Sequence, residues 1–396
     1  MPGRTSKRLQ YASCGGLLLA AVMLGATPAW LNYSIDPYEM FRSGQLSKAQ
    51  RETAEKKHYP LWKFAHYKRD AQIVILGDSR ARALRDKYWY EYGAAPAFNF
   101  AYGGGTIPEI HSTFQAIKND PKLKTLVVGI QLRSLDETHK GGLNRVPEAR
   151  KATASPVAYL KNWFVAKQSW RVLKERNPWL AKTMETLTPS LVNDVLASSL
   201  GEPGQADADT LLLPDVVSAN ASNLPARELP PKFERQVTRN ARSDWKGFQF
   251  SSRYMGMVEE MAQWADARPD RRLIFVIPPT VIEMQHTIDA YGLTRMNDLF
   301  RRELTALAPV IDLDFDSAIT RDLGNFTDAY HFNSKVARRI VGEIMTVLGT
   351  NEQQAKRIER RRKTLRCPSP ERTLTPAADS FVEGQSCRVW TEVTHG

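Results

Sequence analysis

Cysteine is scarce, with three in 396 residues: Cys14, Cys367 and Cys387. No Cys-x-x-Cys pair and no His/Cys cluster at metal-ligand spacing occurs, which excludes a zinc-stapled module; no metal or organic cofactor is implied. Cys367 and Cys387 flank a Pro-rich tail. They read either as one disulfide closing that tail in an oxidising compartment or as two inert thiols. Acidic residues are also in deficit, 43 against 55 Lys and Arg, for a formal net charge of +12. Part of that excess sits in "KRIERRRKTLR", residues 356–366. The run suits a solvated helix end, or a contact with anionic lipid head groups or an acidic polymer. Internal repeats are absent as well, so an array architecture is excluded.

Long apolar runs are nearly missing, with one exception at the N-terminus. Arg4, Lys7 and Arg8 precede an uncharged stretch from Tyr11 to Ser34, densest in Leu, Ala, Val and Met between Leu17 and Leu24. It reads as an uncleaved transmembrane signal anchor, with Trp30 and Tyr33 at the interface. The alternatives are a signal peptide removed after "ATPA", which ends at Ala29, and a buried core helix. Too few apolar residues precede Cys14 for a lipoprotein site. The basic residues lie before the segment and the next one is Arg42, which puts the bulk of the chain on the outer, periplasmic face of an inner membrane. Export argues against a nucleic-acid partner. The 42% hydrophobic content suffices for a full core.

Five stretches follow from these signals: a cytoplasmic stub and anchor over 1–34, a juxtamembrane segment over 35–70, a core over 71–135 and 249–350, an insertion over 136–248, and a basic, Pro-containing tail over 351–396. Strands are expected at 72–76, 97–100, 124–131, 272–277 and 309–313. Helices are expected at 79–91, 107–119, 251–267, 294–307 and 334–348. Strands such as "TLVVGI" and "LIFVI" are apolar throughout, as in a parallel sheet covered on both faces. The pattern predicts a three-layer α/β/α domain of flavodoxin-like type. The insertion reads as helical over 156–200 and as loop over 201–232, forming a cap beside the sheet. Trp163, Phe164, Trp170 and Trp179 there are able to stack on a sugar ring, but the helical spacing of Trp163 and Trp170 suits packing against the sheet.

In an open parallel sheet, ligands bind beyond the carboxyl ends of the strands. The first predicted strand runs into Gly77, Asp78 and Ser79, which puts Ser79 at that edge, in the first turn of a helix whose free N–H groups favour negative charge. Alone, such a serine is more readily an N-cap. "NFTDAYHFN", residues 325–333, places Asp328 three residues before His331, a spacing that lets the carboxylate orient the imidazole while the other ring nitrogen takes a proton from a serine. "FNFAYGGGT", residues 98–106, follows another strand with Asn99 and three successive glycines that can point N–H groups into a pocket. "VVGIQLRSLD", residues 127–136, ends a third strand at Gly129 and Gln131, whose amide is a candidate donor. His58, His66, His111, His139, His286 and His395 lack an acid in comparable context and read as ordinary polar residues. Asn-x-Ser/Thr triplets at Asn32, Asn220 and Asn325 carry little weight.

These four blocks, in this order, resemble those of the SGNH (GDSL-like) hydrolase superfamily over residues 72–135 and 270–348. The resemblance implies Ser79 as nucleophile with its backbone N–H in an oxyanion hole, Gly104 as second donor, and Asp328 and His331 as triad partners. Asp78, Asn99 and Gln131 join the oxyanion and substrate-binding group. Where the family has Gly-x-Asn-Asp, this chain has Gly129, Ile130, Gln131 and Leu132, so the usual asparagine donor is missing. The N-terminal segment, "DPY" at 36–38 and "GDSR" resemble a membrane-anchored branch that acts in alginate and cellulose acetylation and in teichoic-acid D-alanylation. That implies a serine esterase or O-acyltransferase on an acylated exported polysaccharide, with a bacterial inner membrane and a membrane-bound acyl-donor protein as partners. The altered third block motivates an alternative, a non-catalytic scaffold or carbohydrate-binding subunit of a polysaccharide-modification complex.

Overall fold

The computed structural model describes residues 28–57, 59–179 and 228–349. The apolar run before residue 28, His58, the stretch 180–227 with Asn220, and the tail from 350 with its basic cluster, Cys367, Cys387 and His395 lie outside the described residues. Among those described, no helix is long and apolar enough to cross a membrane.

Five strands form one parallel sheet: β1 (Ile73–Leu76), β2 (Ala97–Asn99), β3 (Thr125–Gly129), β4 (Arg272–Ile277) and β5 (Val310–Asp312), in spatial order β2-β1-β3-β4-β5. Ile73 pairs with both Ala97 and Thr125, Thr125 with Arg272, and Phe275 with Val310. β1 and β3 are buried at every position, because helices cover both faces of a parallel sheet. The order is the flavodoxin-like one, and the chain reverses direction at β1, next to β3.

Helices α1 (28–35), α2 (Lys48–Lys57) and α3 (Tyr59–His66) precede β1; α4 (Asp86–Glu91) follows it and α5 (Ile107–Ile117) follows β2. After β3 the chain leaves through α6 (Val146–Thr153), α7 (Pro156–Leu160) and α8 (Trp163–Arg176), and returns through α9 (Pro231–Arg235) and α10 (Ala241–Trp245). α11 (Ser252–Asp266) leads into β4, α12 (Ile282–Ala290) and α13 (Thr294–Leu307) into β5, and α14 (Ala318–Arg321) and α15 (Ser334–Gly349) complete the fold. β1 to β2 steps one way along the sheet and β2 to β3 the other, so right-handed connections put α4 and α5 on opposite faces. In keeping with this, α5 packs against α11 while α4 packs against α15.

Three expectations are corrected. The single helix over 79–91 is a turn, a short 3₁₀ segment at Ala81–Ala83 and then α4. Asn99 Nδ2 donates to the carbonyls of Ala81 and Leu84, each at 2.9 Å, beside the 3₁₀ bond from Leu84 N to Ala81 O that closes the short segment. Helices α2, α3 and α12 are absent from the predicted pattern; α3 forms where a short amphipathic stretch buries Tyr59 and Leu61. Trp163 is 57% exposed, not packed on the sheet. α8 instead turns Val165, Ser169 and Val172 toward the N-terminal segment, where Ile35, Tyr38 and Leu46 complete two small apolar clusters.

Candidate active site

The site lies at the carboxyl edge of the sheet, at the point where the strand order reverses. Gly77 ends β1 at φ 143°, and a Cβ there would come within 2.8 Å of the Gly129 carbonyl oxygen, so only glycine fits the turn that presents the next two residues. Asp78 closes that turn. Its carboxylate accepts from Arg80 N at 2.9 Å and from Arg80 Nη2 at 2.6 Å. Burial would raise the Asp78 carboxyl, but the Arg80 charge and N–H groups outweigh it and hold the group below its ordinary range.

Ser79 Oγ lies 2.7 Å from His331 Nε2, across 252 positions of sequence. On the far side of the ring, Nδ1 is 2.8 Å from Asp328 Oδ1. That oxygen also accepts the backbone N–H of Tyr330 and of His331, each at 3.0 Å. The hydrogen that fits this arrangement is on Nδ1, which leaves Nε2 to accept from the serine. Burial opposes ionisation of Asp328, yet the His331 bond and charge and the two backbone donors hold its carboxyl far below the usual range.

The returning limb of the insertion clamps this loop. Lys232 Nζ donates to Thr327 O at 3.0 Å and sits 3.4 Å from Asp328 Oδ2. Gln236 Oε1 accepts from Ala329 N at 2.8 Å, and Asp244 Oδ2 accepts from Tyr330 Oη at 2.8 Å and from Arg133 Nη1 at 2.9 Å.

The triad opens on a cavity of about 310 Å³, a volume within the range of small-ligand sites. Asp78, Ser79, Gly104, Gln131 and His331 line it, so five of the seven expected site residues meet there; Asp328 stands behind the imidazole. The backbone N–H groups of Ser79 and Gly104 donate to no other group among the described residues, as oxyanion donors require. Gln131 Nε2 is turned to Asp78 Oδ2 at 3.3 Å.

Asn99 is corrected. It is buried away from the cavity, and its Oδ1 accepts from Ala101 N at 2.8 Å, so it braces the serine turn rather than facing a ligand. Trp163, Phe164, Trp170 and Trp179 do not line the cavity either.

Arg80, Arg133, His139, Lys140, Asp244 and Tyr330 also line it and were not expected there. Arg80 and Tyr330 sit inside the serine and histidine motifs, which is the only signal they carry. His139 and Lys140 are followed by two glycines, and the run His139–Gly142 turns with Lys140 at φ 51° and Gly141 at φ 54°. Asp244 has no sequence signal, since the interruption hides its distance from the site. Among the described residues no three His, Cys, Asp or Glu side chains converge as metal ligands. No family model matches this chain, and a search of curated proteins finds no relative.

Proposed function

We propose that the chain is a cell-envelope serine esterase or O-acyltransferase of the SGNH type, acting on an acylated exported polysaccharide. The observation that carries the reading is the unbroken relay Ser79 Oγ, His331, Asp328, at 2.7 and 2.8 Å, on the wall of an open cavity. His331 Nε2 takes the serine proton as Oγ attacks an ester carbonyl, and Asp328 stabilises the imidazolium. The N–H groups of Ser79 and Gly104 receive the oxyanion. His331 then returns the proton to the leaving alkoxide, and an acyl-serine remains. Water resolves it in an esterase; a sugar hydroxyl resolves it in a transferase. The basic N-terminus and apolar run support tethering to the inner membrane with the sheet domain outside, beside an acyl-donor protein.

A fluorophosphonate probe tests this on the full chain. We expect labelling that disappears in Ser79→Ala, and a kcat loss of roughly 10³–10⁴-fold in Asp328→Asn with the melting temperature kept. Acyl donor with and without an oligosaccharide acceptor separates the two activities: acylated acceptor identifies a transferase, and hydrolysis alone an esterase. One observation favours the rival reading of a non-catalytic scaffold, namely the engagement of Gln131 with Asp78 where the family has a free asparagine. Folded protein that takes no label supports the scaffold.

A further inference from the structure

We propose that Lys140 is a catalytic residue that supplies the oxyanion stabilisation left vacant by the missing asparagine. The inference rests on the serine-hydrolase reading above and concerns the same site.

Three observations carry it. Lys140 Nζ donates to the Gly104 carbonyl oxygen at 2.8 Å, and a Cβ built on Gly104 would collide with that ammonium. The charge therefore lies directly against Gly104, the residue whose N–H is the second oxyanion donor in the mechanism proposed above. Second, the cations of the cavity differ. Arg80 is paired with Asp78 at 2.6 Å and Arg133 with Asp244 at 2.9 Å, whereas Lys140 has no carboxylate within ion-pair distance among the described residues. It is the cation there whose charge no carboxylate of the described residues neutralises by direct contact, although Arg80 Nη1 and Arg133 Nε also lack hydrogen-bond partners. Third, its backbone is held at φ 51°, a conformation that costs a side-chain-bearing residue energy, in a loop that places Lys140 in the wall of the cavity that Ser79 also lines. Arg145 secures the loop from one side, through Glu109 at 2.6 Å, and Thr106 Oγ1 from the other, through the Leu143 carbonyl at 2.5 Å.

In the proposed step the Oγ–C bond forms, the carbonyl π pair moves onto oxygen, and the serine proton passes to His331 Nε2. The new oxyanion then lies among the N–H groups of Ser79 and Gly104 and the Lys140 ammonium. Lys140 is open to solvent on one side, so its field is strongest once substrate excludes water. Burial, then the Arg133 and Arg145 charges, lower its pKa, while Glu109 and Asp78 act against them. The ammonium is thus lost, and turnover with it, at a lower pH than for an ordinary lysine.

The test is turnover of p-nitrophenyl acetate, an uncharged ester with no anionic group for a lysine to bind in the ground state. It uses full-length wild type, Ser79→Ala, Lys140→Met and Lys140→Arg. We expect Lys140→Met to lower kcat by about 10²-fold with KM within about threefold, the size of losing one oxyanion donor. Lys140→Arg should recover most of that loss and move the alkaline limb of the pH profile upward, because a guanidinium keeps its charge. Melting temperatures control for folding. Ser79-dependent turnover that Lys140→Met leaves within threefold of wild type overturns this proposal alone. So does a rise in KM at constant kcat, which would make Lys140 a substrate-binding group only. Wild type without Ser79-dependent turnover overturns the hydrolase reading and this proposal together.

Discussion

His139 illustrates what a few ångströms of placement do to one side chain. It stands in the cavity wall, where burial first, and then the Arg133 and Lys140 charges, push its imidazole down to about 4. Above about pH 6.5 it is neutral folded and unfolded, and has no pH effect on stability. Between there and pH 4 the unfolded chain takes up a proton that the folded chain refuses, so stability falls as pH falls. Partial exposure screens the effect, leaving about 1 kcal/mol. His139→Asn should therefore narrow the drop in melting temperature between pH 7.5 and 4.5 by about 2–4 °C. Equal drops in variant and wild type would show that other groups account for the acid sensitivity.

Between elements, the ion pair joining α5 to the start of the insertion decides most. Glu109 is fully buried in the first turn of α5, where it also completes a capping box with Thr106. Arg145 meets it with Nε at 2.6 Å and Nη2 at 3.0 Å, a two-pronged contact that also orients the Lys140 loop. Arg145→Met strands a carboxylate in the interior and should cost about 3 kcal/mol by denaturant midpoint. Adding Glu109→Gln should recover part of it, because the stranded charge is what costs. A double variant no more stable than the single one would mean that lost packing, not the charge, sets the penalty.

For the molecule as a whole, the segment before the sheet and the outgoing limb of the insertion share two small apolar clusters, although more than a hundred residues separate them. Asn32 is buried between them; its Nδ2 lies 2.8 Å from Leu160 O and 3.2 Å from Asn162 O, and its Oδ1 accepts from Ser169 Oγ at 2.9 Å. Asp36 accepts from Met40 N at 2.9 Å and Tyr159 Oη at 3.1 Å. The juxtamembrane stretch, together with residues 28–34 at the expected end of the anchor, is thus a bracket for the insertion. Asn32 is buried against Leu160, Asn162 and Ser169, which corrects the placing of residues 28–34 in the membrane segment. Asn32→Ala should cost about 1–3 kcal/mol locally. Hydrogen exchange should show residues 28–46 and 146–176 losing protection together while β1 and β3 keep theirs. Loss confined to 28–46 would break the idea of a shared unit.

The chain by itself determined the sheet and the two motifs that carry Ser79 and the Asp328–His331 pair, whereas their meeting across 252 positions belongs to the tertiary structure. Strands buried on both faces must be apolar at every position, so "IVIL", "TLVVG" and "LIFVI" announce themselves. A serine after a strand and an Asp-x-x-His before a helix carry their geometry in local spacing. Tertiary structure decided the rest, because those roles depend on neighbours distant in sequence. Asn99 left the ligand side once it found the carbonyls of Ala81 and Leu84. Trp163 stayed exposed because α8 had Ile35 and Leu46 to pack against instead of the sheet. Lys140 and Asp244 reached the cavity only because the insertion folds back over the carboxyl edge, a path with no periodicity to betray it.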